Sequence, residues 1–438
     1  MRIAVIGAGI VGVTTAFELS FDGHEVTVFE RCGSVAAEGS FANAGVLAPG
    51  YVTPLAAPGM PRQLLRHCLN RRAPLHWAGH PGPGGAAWLW KWLRSCRSDT
   101  YLHNRGRMHR LAVAGRVRRR LLTRVLRLDH EHATGYTVLL RSAEDLALAR
   151  SGLQVLQELG VRFELLDADA CRQLEPGLNP AMPLHAGIHL IDDEVANCRQ
   201  FSHLMRQEAQ KLGARFRFHA TVLGIDAGAK PALRYLQKLP QEPGRIAATA
   251  PGARNEPASE LFDAIVVCAA LDSRTLLAPH GLQLPLLAVH GYSITAPMRH
   301  DHGETDLGPR SGVMDERYKV AISRIGDRIR VSGGAEIGGS MTRNSDKALQ
   351  KLHDVLNDWY PGVARLNQAQ VWKGARPMLP DGPPVIGASG IPGIWLNLGH
   401  GSSGWAMANG SARLLADLVG GQPPSIDPEG LGVDRLLS

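Results

Sequence analysis

The chain opens with a short apolar run, Arg2 to Ile6, that breaks into a glycine turn, Gly7-Ala8-Gly9-Ile10-Val11-Gly12. From about Val11 to Phe21 the apolar residues Val13, Ala16, Phe17 and Leu19 recur at helical spacing, until Asp22-Gly23 ends the pattern. Glu25 to Glu30 then alternates, with Val26 and Val28 between polar neighbours. The pattern predicts a β-turn-α-β unit about thirty residues long.

Residues 49–87 are rich in proline and glycine and predict a long ordered excursion. Ala87 to about Leu128 reads as helix, opening on Trp88, Trp90 and Trp92. A strand is expected over Gly135–Arg141, a helix over Glu144–Leu159 ended by Gly160, a helix over Phe201–Leu212 and a strand over Phe216–Ile225. Lys230–Glu260 has little periodicity and is expected to be an insertion or loose hairpin. Ala264–Ala269 is a near-continuous apolar run, the pattern of a strand buried on both faces of a parallel sheet. Short alternating runs follow at Tyr292–Thr295, Tyr318–Ile322 and Arg328–Ser332, and predict an antiparallel sheet in a second domain. After a helix over Asp346–Tyr360, the α/β pattern returns: a strand at Ile394–Leu398, the turn Gly399-His400-Gly401-Ser402-Ser403-Gly404, and a helix from about Ser403 to Val419. The cofactor unit is therefore expected to be split along the chain.

Composition narrows the picture little. With 438 residues, 44% apolar and 20% charged, the chain is neither disordered nor fibrous. The net charge of +8 permits an anionic cofactor, an acidic partner or a membrane surface. Cys32, Cys68, Cys96, Cys171, Cys198 and Cys268 form no C-x-x-C pair, so reduced thiols in a reducing compartment are expected. His130-Glu131-His132 and His300-Asp301-His302 lack helical ligand spacing and a cysteine partner, so no metal site is expected. No apolar run reaches the roughly 18–20 residues of a membrane span. The opening could pass for a signal peptide, but its apolar residues already form the first strand.

The glycine turn carries chemistry because of its context. Gly7 permits the tight turn, Gly9 leaves room for a pyrophosphate, and Gly12 lets helix and strand pack closely. The helix start offers N–H groups and partial positive charge to phosphate. Glu30, eighteen residues after Gly12, is placed to accept from ribose hydroxyls. These features fit an ADP moiety, so NAD and FAD both remain. Two further segments suit a longer cofactor. Ser40-Phe41-Ala42-Asn43-Ala44-Gly45 combines small residues with hydrogen-bonding side chains. The Gly399–Gly404 turn aims a helix start at an electron-rich group such as the pyrimidine edge of a reduced flavin.

On these motifs the chain resembles the FAD-dependent D-amino-acid oxidase superfamily, and within it the bacterial D-amino-acid dehydrogenase small subunits. The matching stretches are residues 7–13, 23–31, 40–51, 290–295, 318–324, 327–337, 376–387 and 399–405. The resemblance implies a discontinuous Rossmann-type FAD-binding domain (1–85, 190–285 and 370–438). It also implies an antiparallel-sheet substrate domain (86–189 and 286–369) that carries the basic helical segment 88–128. Gly7, Gly9, Ile10, Val11, Gly12, Glu30 and Arg31 would hold the ADP part. Ser40, Asn43, Ala44 and Gly45 would follow the pyrophosphate and ring, Val222 and Ala269 would also touch FAD, and Gly399, Gly401, Ser402, Ser403 and Gly404 would surround the pyrimidine edge. The chain departs from the family at Ala270, where a glycine is usual.

The implied reaction is oxidative deamination of a D-amino acid, with hydride leaving Cα for flavin N5. The products are 2-oxo acid and ammonia, and electrons pass to a quinone or other carrier. Alternatives are a D-hydroxyproline, sarcosine or glycine enzyme, or an RNA-modifying flavoprotein. The substrate carboxylate calls for an arginine fork. Arg376, in Gly374-Ala375-Arg376-Pro377, is the expected clamp, with Tyr292 and His400 as further catalytic candidates and Tyr318, Arg324 and Tyr51 as weaker ones. Nine arginines lie between Arg105 and Arg127, behind the three tryptophans. That pattern fits either an interfacial helix on lipid or a core-packed helix with a basic face. The expected location is cytoplasmic, with peripheral contact at the inner face of the bacterial inner membrane through residues 88–127; no nucleic-acid partner is expected.

Overall fold

The computed structural model describes residues 1–62, 75–79, 84–238, 257–299 and 306–437. Cys68, the His300-Asp301-His302 cluster and residues 239–256 of the expected insertion lie outside them.

The glycine-turn unit forms as its pattern requires. The strand Arg2–Ile6 leads into the helix Ile10–Phe21 and the strand Glu25–Phe29. Arg2–Ile6 lies parallel between Glu25–Phe29 and Ala264–Val267, and Ile394–Leu398 lies parallel beyond the latter. Arg215–Arg217 and Val385–Ala388 complete a six-stranded sheet, with only Val385–Ala388 antiparallel to its neighbour. The central strands are buried on both faces, which explains their unbroken apolar runs. Phe216–Ile225 is not one strand: His219, at φ 57, splits it into Arg215–Arg217 and Ala220–Asp226, which enter different sheets.

The second sheet has ten strands. Its centre is antiparallel, through Gln370–Met378, Leu287–Pro297, Arg328–Ile337, Val320–Ile325 and Gly312–Asp315. The three alternating runs are antiparallel as expected, and the sheet extends past them through two parallel pairings, Gly312–Asp315 with Ala133–Leu140 and Arg328–Ile337 with Leu75–Trp77. The helix Asp346–Trp359 covers one face with Leu352, Val355, Leu356 and Trp359.

The long helical segment is two helices, Gly85–Ser95 and Ser98–Val125. Trp88 and Trp92 are each 2% exposed and stack on one another, whereas Trp90 is 63% exposed. Two segments join the sheets in the following way. The arginine-rich helix packs its Met108, Leu111, Ala112 and Leu122 into the core that also holds Val13, Phe17 and Leu414, on the layer of the six-stranded sheet. Gln370–Met378 belongs to the second sheet, where it pairs with Leu287–Pro297. The basic face is also largely committed within the chain. Arg107, Arg110, Arg116, Arg118, Arg119 and Arg120 all bridge to acidic residues: Glu429, Asp427, Asp193, Glu18 and, for the last two, Glu194.

The arginine-rich helix crosses the closing helix, Gly404–Val419, at two facing glycines. A Cβ on Gly115 would sit 2.5 Å from the Ala406 carbonyl oxygen, and one on Gly410 would strike the Leu111 carbonyl. Gly106, on the same helix, faces open space. Gly115→Ala is therefore expected to lower stability by about 1–3 kcal/mol through overpacking. Gly106→Ala should raise it by about 0.5–1 kcal/mol through helix propensity. Urea melts of both variants check this, and the same sign in both would contradict the close crossing.

Candidate active site

Two helix starts point to the carboxyl edge of the six-stranded sheet, where ligands bind in open parallel sheets. In the first, Gly7 takes φ 99, and a Cβ there would lie 2.7 Å from the Cys268 carbonyl oxygen. A Cβ on Gly12 would collide with the Gly7 carbonyl. Gly9, by contrast, has only the Ser40 hydroxyl near its open side. Gly9 is also the N-cap, so no side chain caps the helix, and no acidic residue stands in its first turn. The Ile10 N–H donates to Ser40 Oγ at 3.1 Å, joining the glycine turn to the Ser40–Gly45 loop. The Glu30 carboxylate accepts the Ala8 and Cys32 N–H groups at 2.7 and 2.8 Å, which fixes it at the strand end.

The second start lies two strands away, or about 10 Å along the sheet. Gly399 and Gly401 take φ 78 and 58 and bend the chain from Ile394–Leu398 into the closing helix. That helix likewise has no side-chain cap and no acid in its first turn. Beneath both starts, Asn397 Nδ2 donates to Thr15 Oγ1 at 2.9 Å, so the closing strand is hydrogen-bonded to the first helix. The Thr14 hydroxyl also reaches the Ala408 carbonyl at 3.4 Å. The two positive helix ends are thus held on one edge, with nothing acidic in either first turn to neutralise them.

The Ser40–Gly45 loop runs from this edge to the second sheet and is tied there at three carbonyls. Ser293 Oγ donates to Ala42 O at 2.7 Å, Ser323 Oγ to Ala44 O at 2.9 Å, and Arg330 Nη1 to Asn43 O at 2.9 Å. Arg330 is buried and also donates to Thr295 Oγ1. None of these four residues stands out in the sequence, because an alternating strand pattern marks a face and not its destination. Gly45 needs its φ of 77, and a Cβ there would meet the Ala196 carbonyl at 2.9 Å.

The FAD dependent oxidoreductase (DAO) family matches residues 2–418. The chain belongs to this family. It is 42% identical over all of its length to a D-amino acid dehydrogenase of Cereibacter sphaeroides, covering 96% of that protein. It is 40% identical to a D-amino acid dehydrogenase of Rhizorhabdus wittichii, over 99% of this chain and 100% of that one. Glycine oxidase from Geobacillus kaustophilus shares the fold, with a TM-score of 0.73 at 19% identity and 99% coverage of both chains.

The cofactor is FAD, and the residues fit it. The open side of Gly9, which a Cβ would narrow, suits a pyrophosphate, and the Glu30 carboxylate is fixed at the strand end by two amides. The Val222 strand is joined to the Glu30 carbonyl through the Ala220 N–H. Ala270, the departure from the family's glycine, takes φ 48. The left-handed backbone that favours glycine is therefore kept with alanine in it, at an expense of about 1–2 kcal/mol. Beside it, Ala269 lies against Gly7. Arg31 is largely committed, forking onto Glu38 and bridging to Asp272.

On the substrate side the structure separates the three catalytic candidates. Arg376 sits two residues before Met378, which bridges to His400 at the closing turn. Its Nη1 donates to the Gly334 carbonyl at 2.8 Å, and only a glycine at position 291 leaves room for the guanidinium. Burial pulls its pKa down to about 10, and no acidic group among the described residues offsets that burial. Tyr292 lies on the other face of its strand, in the core under the Asp346–Trp359 helix. Its hydroxyl donates to Glu336 Oε2 at 2.7 Å and accepts the Ser345 N–H. His400 is buried, with Nε2 3.0 Å from Ser411 Oγ. The Ser411 hydroxyl also lies 3.0 Å from the Ala408 carbonyl, so the imidazole is tied to the closing helix through one hydroxyl. Burial lowers its pKa to about 3. Tyr51 donates to Glu316, Arg324 forks onto Asp306, and Tyr318 lies under the Arg141 guanidinium.

The buried His400 predicts a pH dependence. In the unfolded chain it takes up a proton below about pH 6.5, whereas in the folded chain it stays neutral down to about 3. Between those values the unfolded state binds one more proton, so this residue makes stability fall as pH falls. Replacing it should remove about 1.4 kcal/mol per pH unit from the slope. Urea melts of the wild type and His400→Gln at pH 7, 6 and 5 measure that difference; parallel slopes would show that His400 titrates normally in the fold.

Proposed function

We propose that this chain is an FAD-dependent D-amino-acid dehydrogenase that oxidises its substrate at Cα to give 2-oxo acid and ammonia. The observation that carries the reading is Arg376: a recessed guanidinium held by one backbone carbonyl, with no acidic partner among the described residues, beside the turn assigned to the flavin. A partly buried cation without an ion pair suits an anionic ligand, and a carboxylate matches its fork. The names carried by the 42% and 40% identical relatives support the D-amino-acid class.

Bound FAD supplies the two-electron acceptor for the Cα hydride. The protein's own work is orientation. Arg376 fixes the carboxylate, and the Ser40–Gly45 loop, stitched to the sheet that bears Arg376, fixes the distance between substrate and cofactor sites. The amine must reach the reaction neutral, and its lone pair then drives the hydride out to leave an imine that water hydrolyses. His400 serves this site as a neutral support for the closing turn, bonded to Ser411, and Tyr292 as a brace through Glu336. Electrons leave to a quinone or other carrier, as in the dehydrogenases the sequence resembles. Peripheral membrane contact, if the carrier is lipid-borne, falls to the exposed Trp90 and Leu93 side of the Gly85–Ser95 helix, since the arginines behind it are engaged within the chain. Among the described residues no helix is long and apolar enough to cross a membrane.

Anaerobic mixing with D-amino acids, L-amino acids, glycine, sarcosine and D-hydroxyproline tests the reading. Flavin bleaching by D-amino acids is expected; bleaching by sarcosine or glycine alone would reject it. Arg376→Leu should raise KM about a hundredfold while the protein keeps its FAD, and an unchanged KM would refute the clamp.

A further inference from the structure

The arginine-rich helix has a use that neither lipid nor substrate explains. Glu18, on the helix Ile10–Phe21, is fully buried, yet it carries a carboxylate. Arg118 forks onto it from the arginine-rich helix, with Nε and Nη2 at 2.8 and 2.7 Å. Arg413 reaches the same carboxylate from the closing helix, with Nη1 at 2.9 Å. Arg413 also holds Asp22, beyond the end of the first helix, and Asp417, one turn further along its own. The Arg118 guanidinium lies over the Phe21 ring, 5.3 Å from its centroid. The facing glycines Gly115 and Gly410 let the arginine-rich helix come close enough for this reach.

Two of the three helices joined here are the pair whose starts face FAD. Glu18 lies nine residues from Gly9, and Arg413 nine residues from Gly404, so each contact is about 13 Å from the helix start it steadies. A change in the angle between the helices at this point moves both sets of N–H groups relative to one rigid dinucleotide. A buried carboxylate with two guanidinium partners is weak support for stability in itself, because desolvation offsets the attraction, but it tolerates little change in geometry. We propose that Glu18, with Arg118 and Arg413, is a positioning group for FAD: it fixes the angle between the two cofactor helices so that both starts meet the same molecule. The arginine-rich helix is on this account the brace that supplies the second cation.

The test titrates apoprotein with FAD, following quenching of flavin fluorescence, and measures the midpoint potential of the bound flavin. Glu18→Gln keeps the shape and removes the charge. It is expected to weaken FAD binding about tenfold or more, the scale of coupling between separate sites, and to shift the potential. Arg413→Lys should recover most of the affinity lost in Arg413→Leu. Arg107→Gln breaks an exposed bridge to Glu429 on the brace and should leave both readouts unchanged. Should Glu18→Gln not fold, Arg118→Gln, which removes the second cation and leaves the Arg413 contact in place, decides the matter by the same two readouts. Wild-type affinity and potential in the folded variant would overturn the proposal. So would equal loss in Arg107→Gln, since that would mark a general effect of stability.

Discussion

The structure turns on holding two positive helix ends against one anionic molecule. Neither the helix that follows Gly9 nor the one that starts at Gly404 is capped by its own N-cap side chain or carries an acidic residue in its first turn, and at the first of them Ser40 reaches only the Ile10 amide. An isolated helix is less stable for that lack, because its first amides stay unpaired and its dipole uncompensated. Placed on the same edge of a parallel sheet, two strands apart, the deficits become a site for a dinucleotide whose charge lies at its pyrophosphate and, once reduced, at its flavin ring. The polar contacts behind the edge, from Asn397 to Thr15 and from Arg413 and Arg118 to Glu18, keep the two ends facing the same space.

Substrate chemistry is added by attaching a second sheet to that edge. Three carbonyls of the Ser40–Gly45 loop accept bonds from Ser293, Ser323 and Arg330, and the Arg376 strand ends against the closing turn. The glycine-turn edge and the Arg376 strand therefore share a hydrogen-bonded connection that loops alone would not supply. Among the described residues the buried Arg119 and Lys373 are paired with Glu194 and Glu336, while the buried Arg330 is held by the Thr295 hydroxyl and the Asn43 carbonyl of the cofactor loop. Arg376 is held instead by a backbone carbonyl, and the imbalance is what a substrate carboxylate would complete.

The parts of this arrangement legible in the sequence are those that depend on local backbone. The Gly7–Gly12 turn, Glu30 at a strand end and the Gly399–Gly404 turn announce themselves through glycines that must take unusual conformations or leave space. What stayed illegible is long-range pairing. Trp88, Trp92 and the arginines after them fit an interfacial helix and a core-packed one alike on composition; the two tryptophans are core, and the arginines find Glu18, Asp193, Glu194, Asp427 and Glu429 in distant segments. Tyr292 occupies a strand that does border the site, but alternation sends its ring to the opposite face, and one residue decides which face that is. A signal was present for the brace: a lone glutamate on the apolar stretch from Val11 to Phe21 needs a partner once buried.

The most direct measurement is an experimental structure of the protein with FAD bound. One extended FAD is expected along the carboxyl edge of the six-stranded sheet, its pyrophosphate on the amides of the Gly7–Gly12 turn and its pyrimidine edge on the Gly399–Gly404 turn. A flavin ring remote from the closing turn, or a dinucleotide touching only one of the two helix starts, would contradict it.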